Sequence, residues 1–227
     1  MKAIRSARGS IGPAQIAYNS QSVLMHPRTQ KLRFSPTETR HLVIGTALVT
    51  GAGISFFRED PFTAGVIGLV LASVLFSLGF ILHELAHKYV AQGYGLWAEF
   101  RLNMMGVMLT AISIASPFKF IAPGAVVIAG FTDRERMGKT ALAGPVVNVV
   151  ITAALLIALP LFARNTLSFA LLAGAAINAF LALFNLIPLS VFDGQKIYKW
   201  NKHYWIAVFL AALVLTIYTN FVLKPFF

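Results

Sequence analysis

The sequence predicts an all-α, polytopic membrane protein of about five to six transmembrane helices, with a small membrane-dipping β hairpin or sheet between the second and third spans. The first observation behind this class is composition: 57% of the 227 residues are hydrophobic and only 12% are charged, whereas soluble domains carry about 25% charged residues. The second is that the apolar residues form long runs, each close to the roughly 20 residues that cross a bilayer as a helix.

The first 40 residues differ from the rest, because they are polar and basic and contain glycines and prolines that break a long helix. We interpret residues 1–40 as a weakly structured cytoplasmic arm and residues 41–227 as the membrane-embedded domain. The arm has no compact apolar segment of the signal-peptide type, so we expect no cleaved leader. At its end the run SPTE predicts a helix start, with Ser35 as N-cap and Glu38 completing a capping box.

Five uncharged runs follow the arm, and each is long enough to cross a bilayer or nearly so. They are residues 41–57, 64–82 (continuing as helix to about 92), 140–163, 165–192 and 204–223. The fourth run is longer than one span needs, and Pro188 is expected to break its last part.

The segment between the second and third runs has a different pattern. Residues 102–116 are apolar but include polar side chains, and we interpret them as a partial or re-entrant segment. Residues 121–130, with the sequence IAPGAVVIAG, are rich in β-branched side chains. A lone strand cannot lie in lipid, since its backbone groups would be left without hydrogen-bond partners. We therefore expect this stretch to pair within the protein.

The distribution of Lys and Arg predicts the orientation. With the N-terminus in the cytoplasm and five full spans, the cytoplasmic segments hold seven of these residues in the arm, six between 88 and 139, and three between 196 and 202, against Arg58, Arg164 and Lys224 outside. This is the bias of a multi-pass protein of the cell membrane. Because the net charge of +11 follows the loops, we expect lipids and no nucleic acid as partners.

The second run carries the motif HELAH at 83–87 in an otherwise apolar sequence. Residues four apart on a helix lie on one face, so His83 and His87 can bind one metal ion, and Glu84 lies beside them to activate water. Ionisable side chains inside a membrane segment cost about 2.5–3.5 kcal/mol each and indicate function. In the predicted orientation the mouth of this site faces the cytoplasm, where Lys88 is expected to extend to the headgroups.

A zinc site with two histidines needs a third protein ligand and an open position for water. The chain has no cysteine, so this ligand must be His, Asp or Glu. Asp193 is the only acidic residue after Glu135, and it follows the fourth run on the side of the histidines. An Asp-Gly turn without a metal role is the alternative, and His203 is the other candidate ligand.

Two intramembrane asparagines are candidate substrate contacts. Asn148 lies in the first turns of the third run, and Asn185 lies eight residues before Asp193. Either side chain can simply bond between helices. Asn185 is also placed to donate a hydrogen bond to a substrate carbonyl or its oxyanion. We interpret Asn178, two turns earlier on the same run, as a packing residue.

Three motifs together resemble those of the site-2 protease family of intramembrane zinc metalloproteases. They are HELAHK at 83–88, AGPVVN at 143–148 and NLIPLSVFDG at 185–194, and the resemblance covers roughly residues 64–199. It implies one Zn²⁺ ion bound by His83, His87 and Asp193, with Glu84 as the catalytic base. The chain departs from commoner members in showing no room for a PDZ insertion or a C-terminal CBS pair.

The resemblance also implies how a substrate is held. Asn185 is expected to contact the substrate or the reaction intermediate, and Asn148 remains a further candidate contact. The stretch APGAVV at 122–127 resembles the membrane-dipping strand region of the family. We therefore expect Gly124, Ala125 and Val126 to pair with an unwound transmembrane segment.

We interpret the chain as an intramembrane zinc metalloendopeptidase that hydrolyses peptide bonds in or near transmembrane segments of membrane-protein substrates. The alternative is a non-catalytic metal-binding membrane protein or a divalent-cation transporter, because intramembrane His and Asp also mark ion paths. Against a transporter, the sequence shows no internal repeat of the kind that many carriers have.

Overall fold

The computed structural model of the chain describes residues 32–57, 65–116, 120–162 and 165–223. Its elements are α1 (Pro36–Phe57), α2 (Gly65–Gly93), β1 (Trp97–Leu102), α3 (Met104–Ala115), β2 (Gly124–Ala129), α4 (Arg134–Ala158, continued by a 3₁₀ turn at Leu159–Leu161), α5 (Thr166–Asn185), α6 (Asp193–Trp200) and α7 (Lys202–Ile217, continued by a π-helical stretch at Tyr218–Leu223). Most of the basic arm predicted for residues 1–40 lies outside the described residues.

Within the described residues, five helices are long and apolar enough to cross a membrane. They are Pro36–Phe57, Gly65–Gly93, Arg134–Leu161, Thr166–Asn185 and Lys202–Phe221. The predicted class, a multi-pass helical membrane protein with a small sheet, is confirmed. The short helix α3 has 12 residues, so it is about 18 Å long and cannot cross a hydrocarbon core of about 30 Å.

Two helix ends do not coincide with the ends of the uncharged runs, for local reasons. Helix α4 starts six residues before the predicted 140, because the carboxylate of Asp133 accepts a hydrogen bond from the N–H of Arg136 and caps the helix. Helix α5 ends at Asn185, within the fourth uncharged run, so the expected break of its last part is present. The residues that follow form turns around Pro188, which cannot donate a backbone hydrogen bond.

The start of α1 is only partly as predicted. The hydroxyl of Ser35 accepts a hydrogen bond from the N–H of Glu38 at 3.1 Å, as an N-cap does. The expected return contact of the capping box is wrong, because the two carboxylate oxygens of Glu38 bond to Lys88 and to the N–H of Phe100. The prediction that Lys88 extends to the headgroups is wrong as well, since its side chain is fully buried.

The two strands form an antiparallel sheet in which Phe100 lies opposite Val126 and Leu102 lies opposite Gly124. This is the predicted sheet between the second and third spans. Helix α3 connects the strands, and its N-cap is Asn103, whose side chain accepts from the N–H of Gly106. Pairing satisfies the facing backbone groups of both strands, which is the condition for a strand at membrane depth.

A hydrophobic cluster fixes the sheet against the membrane helices. Its buried members are Val49, Phe57, Ala72, Phe76, Phe80, Phe100, Phe169, Ala173 and Ile177. The rings of Phe80 and Phe100 meet edge to face with centroids 5.8 Å apart. In lipid such packing acts through van der Waals contact, helped by small residues at helix crossings. Gly53 is one of these, since a Cβ there would lie 2.9 Å from the Phe76 ring.

Candidate metal centre

Helix α2 presents both histidines of the HELAH motif to the interior. The side chains of His83 and His87 are buried, and their Nε2 atoms lie 3.0 Å apart. This is the arrangement expected for residues one helical turn apart. The two nitrogens therefore form a pair of neighbouring donor atoms inside the membrane domain.

Asp193, the first residue of α6, completes the cluster. Its Oδ2 atom lies 3.0 Å from Nε2 of His87 and 3.5 Å from Nε2 of His83. A hydrogen bond holds the preceding turn in place, since the indole N–H of Trp205 donates to the carbonyl of Leu186 at 2.8 Å. A Cβ at Gly194 would lie only 2.1 Å from that carbonyl oxygen, so a larger residue does not fit there. Glycine after Asp193 thus allows α6 to begin directly against the end of α5.

The electrostatic surroundings keep Asp193 in its ligand form. Burial raises the pKa of this carboxyl, but attraction to the protonated form of His87, hydrogen bonds from both histidines and the ammonium group of Lys196 outweigh it and hold the pKa well below its usual value. A metal ion bound to neutral rings would supply the positive charge in place of the imidazolium proton. The carboxylate is therefore available to bind a cation.

The three side chains fit a divalent metal ion. Among the described residues His83, His87 and Asp193 form the only group of three or more potential ligands, and their ligand atoms lie within 4.8 Å of one another. The observed separations of 3.0–3.5 Å are close to the roughly 3.3–3.6 Å edge of a tetrahedron with bonds of 2.0–2.2 Å. Two imidazoles and one carboxylate leave the fourth position open. His203, the alternative ligand, is exposed and lies outside the cluster.

Each histidine ring is fixed from behind by its other nitrogen. Nδ1 of His83 bonds to the side-chain oxygen of Asn148, and Nδ1 of His87 bonds to the carbonyl oxygen of Thr140 at 2.8 Å. Both partners are acceptors, so Nδ1 carries the proton and Nε2 keeps its lone pair for a metal. Helix α4 thus sets the tautomer of both rings.

Asn148 lies behind His83, whereas the sequence suggested it as a substrate contact. Its side chain is fully buried, and its amide nitrogen donates to Oδ1 of Asn178 at 2.8 Å and to the carbonyl of Gly79 at 3.3 Å. Asn178 in turn donates to the carbonyl of Gly174. Asn178, which the sequence suggested as a packing residue, therefore begins a chain of hydrogen bonds that runs from α5 through Asn148 on α4 to His83 on α2.

Close helix approach at this centre depends on glycines that the sequence analysis passed over. A Cβ at Gly144 would lie 2.4 Å from Nε2 of His87 and 2.6 Å from Nε2 of His83, and a Cβ at Gly79 would lie 2.1 Å from Oδ1 of Asn178. The AGPVVN motif contains Gly144 next to a proline, which was the available signal. For Gly79 the available signal was its position one helical turn before His83.

The cluster opens into a cavity of about 490 Å³ between α2, α3, β2, α4, α5 and α6. Its lining includes Glu84, Asp193, Asn185, Gly124, Ala125 and Val126. The amide nitrogen of Asn185 donates to the carbonyl of Leu181 at 2.9 Å, and an amide nitrogen has a second hydrogen to give. The Thr140 hydroxyl, on the same wall, is buried with no hydrogen-bond partner among the described residues.

Strand β2 presents one edge to this cavity. Phe100 and Val126 lie opposite each other, yet the N–H of Phe100 donates to Glu38 and the N–H of Val126 donates to Oε2 of Glu84 at 2.9 Å. Both N–H groups therefore point away from the partner strand, as in a non-hydrogen-bonded pair. By the two-residue repeat of a strand, Gly124 and Ile128 direct their backbone groups to the same edge as Val126.

Comparison with known proteins finds two relatives in the archaeon Methanocaldococcus jannaschii. One, named "Putative zinc metalloprotease MJ0611", is 36% identical over 192 residues, which are 83% of this chain and 97% of that protein. The other, named "Zinc metalloprotease MJ0392", is 30% identical over 160 residues, which are 70% of this chain and 40% of that protein. No family model matches the chain, and no solved structure matches it.

Proposed function

This chain belongs to the family of zinc metalloproteases that these two archaeal proteins represent, and we propose that it is an intramembrane zinc endopeptidase of the site-2 protease type. It hydrolyses peptide bonds in or near transmembrane segments of membrane-protein substrates. The observation that carries this proposal is a buried His83, His87 and Asp193 cluster, with Glu84 beside it, inside five apolar helices.

The chemistry follows from the residues around the cluster. His83, His87 and Asp193 would hold the zinc ion, which would supply a Lewis acid for the scissile carbonyl and lower the pKa of water at the site toward about 7. Glu84 takes the water proton on its carboxylate and delivers it to the leaving amine. The second N–H of Asn185 donates to the oxygen of the attacked carbonyl, where negative charge develops.

The outer edge of β2 holds the substrate. A transmembrane helix hides its peptide bonds, so the cleaved segment unwinds and adds as a strand along Gly124, Val126 and Ile128. A substrate carbonyl that accepts the N–H of Val126 replaces Oε2 of Glu84 at that position. Substrate pairing thereby releases Glu84 for proton transfer.

The decisive experiment uses the variant Glu84→Gln in purified full-length protein. We expect it to retain one zinc per chain, because Glu84 is not a ligand, and to lose cleavage of a transmembrane reporter peptide. Metal analysis and gel-based cleavage give the two readouts, and His83→Ala, which should lose both, is the control. Undiminished cleavage by Glu84→Gln contradicts the assignment, whereas zinc flux into liposomes without cleavage favours a carrier.

We further propose that the protein lies in the cell membrane with its N-terminus and the mouth of the site on the cytoplasmic side. The excess of Lys and Arg on the predicted inner loops supports this orientation. Because the chain has no cysteine, a single introduced cysteine reports sidedness. Lys199→Cys should react with an impermeant maleimide only after cell lysis and Phe162→Cys in intact cells; the reverse result would invert the topology.

A further inference from the structure

A second ionisable pair lies on α2, directly after the metal ligands. Lys88 and Glu38 are both fully buried and form an ion pair between α2 and the first turn of α1. Oε1 of Glu38 also accepts the N–H of Phe100 at 2.9 Å, and Nζ of Lys88 lies 4.4 Å from the centroid of the Phe34 ring. Neither side chain belongs to the metal cluster.

Stability alone is a poor reason for such a pair. Removing two charges from water costs several kcal/mol per ion, and apolar residues of similar volume often serve stability as well or better. The contacts of the pair instead indicate a role in holding the sheet, since Glu38 accepts a hydrogen bond from the outward-facing N–H of Phe100 in β1.

Helix α2 contacts both strands at the same rung of the sheet. Glu84 and Lys88 are four residues apart and lie on one face of the helix. Glu84 accepts from Val126 of β2, and Lys88 holds Glu38, which accepts from Phe100 of β1. Because Phe100 and Val126 are opposite each other, these contacts fix one cross-strand pair relative to the catalytic helix.

Neighbouring contacts hold the same junction. The N–H of Arg33 donates to Oε1 of Gln92 near the end of α2, and the amide nitrogen of Gln92 donates to the carbonyl of Ala98 in β1. The hydroxyl of Ser35 donates to Oε2 of Glu99 at 3.0 Å. The start of α1, the end of α2 and β1 are thus joined around the Glu38–Lys88 pair.

We propose that Glu38 and Lys88 are positioning residues, which set the distance between the substrate-binding edge of β2 and Glu84. This inference rests on the proposed protease function and adds a determinant of substrate binding to it. If Glu38 no longer accepts from Phe100, β1 shifts, and the edge of β2 moves with it relative to the metal cluster. The displaced edge then pairs less well with the unwound substrate segment, so substrate binding weakens.

The test compares two variants that both remove the buried charges. Glu38→Gln/Lys88→Met keeps a carbonyl oxygen for the N–H of Phe100, whereas Glu38→Leu/Lys88→Met has no acceptor there. In full-length protein with a transmembrane reporter, we expect the first to keep KM within about twofold of wild type and the second to raise KM about tenfold, as for the loss of about one hydrogen bond. Zinc per chain should stay unchanged in both, and a loss of folded protein alone would not raise KM.

A matched control is the exposed pair Glu135 and Lys139 on α4, which has the same charges but bonds within one helix. Glu135→Leu/Lys139→Met should leave KM unchanged. An unchanged KM in Glu38→Leu/Lys88→Met overturns the positioning role, and so does a parallel fall of zinc content and cleavage in that variant.

A second readout does not depend on activity. Amide hydrogen exchange in 97–102 and 124–129 should be faster in Glu38→Leu/Lys88→Met than in the Gln/Met variant, while exchange around 83–87 is unchanged. Equal exchange in the two variants overturns the inference even if no reporter is cleaved. If the two variants differ in exchange as expected but the wild-type protein cleaves no reporter, the result instead contradicts the proposed function.

Discussion

The two walls of the metal-site cavity differ in how completely they are fixed before a substrate arrives. The metal wall consists of His83 and His87, which are buried on α2 against α4, and Asp193 at the start of α6, and both rings have a second hydrogen bond behind them. The strand wall consists of Asn185 and the outer edge of β2, whose residues alternate between half-buried and exposed. One wall is complete, and the other offers backbone groups for pairing.

This difference matches two different requirements. A catalytic metal needs its ligands and their tautomers set in advance, which densely packed helices with buried polar contacts provide. A transmembrane substrate must enter, unwind and pair, which an open strand edge permits. Changes in the metal wall should therefore act on zinc binding, and changes in the strand wall should act on cleavage at constant zinc.

The largest effect is expected from Gly144→Ala in the metal wall. The added methyl group would lie 2.4 and 2.6 Å from the Nε2 atoms of His87 and His83, so at least one ring must leave the position from which it binds metal. We expect loss of bound zinc and of reporter cleavage, measured by metal analysis and a cleavage assay. Gly93→Ala is the control, because a Cβ there meets nothing within 4 Å. Full zinc occupancy in Gly144→Ala would show that the packing of α4 on α2 does not set the ligands.

A smaller effect, on cleavage but not on zinc binding, is expected from Asn185→Ala in the strand wall. Loss of one donor to a developing oxyanion typically lowers kcat about 10²–10³-fold, and zinc content should be unchanged because Asn185 is not part of the cluster. Asn220→Ala is a matched control, since the Asn220 amide donates to the carbonyl four residues earlier just as Asn185 does but does not line this cavity. Equal kcat values for Asn185→Ala and wild type would show that Asn185 does not donate to the oxyanion.

The sequence predicts those features that depend on local pattern. Runs of about 20 apolar residues identify the five spans, and the HELAH spacing places His83 and His87 on one helical face. Asp193 stands out because it is the only acidic residue after Glu135 in the sequence. Each of these inferences needs only the residues of one segment and their spacing.

The remaining features depend on contacts between distant segments. Glu38 looks like part of a local capping box, but its partner is Lys88, 50 residues later. The sequence predicts that Asn148 either contacts substrate or bonds between helices, and its partners His83 and Asn178 lie on other helices. Gly79 shows its importance only when the side chain of Asn178 is placed against it. Hydrophobic periodicity carries no information about such cross-helix pairings.

A substitution of Asn148 tests most directly which wall this residue serves, although its expected effect is the smallest. In Asn148→Leu, His83 keeps its place on α2 but loses the acceptor for its Nδ1 proton, and Oδ1 of Asn178 loses its donor. Loss of such a partner typically lowers metal affinity about 10–100-fold. Competition with a chromophoric chelator measures this affinity.

Thr152→Val is the control for Asn148→Leu, because Thr152 is equally buried one turn further along α4 and bonds only to backbone carbonyls of Asn148 and Ala175. If Asn148 were a substrate contact, as its sequence position first suggests, Asn148→Leu would raise KM and leave zinc affinity unchanged. A fall in zinc affinity with unchanged KM in the zinc-saturated enzyme instead assigns Asn148 to the metal wall. Because the hydrogen bonds that link Asn178 to His83 run through Asn148, Asn178→Ala should then lower zinc affinity in the wild-type background and have little further effect in Asn148→Leu.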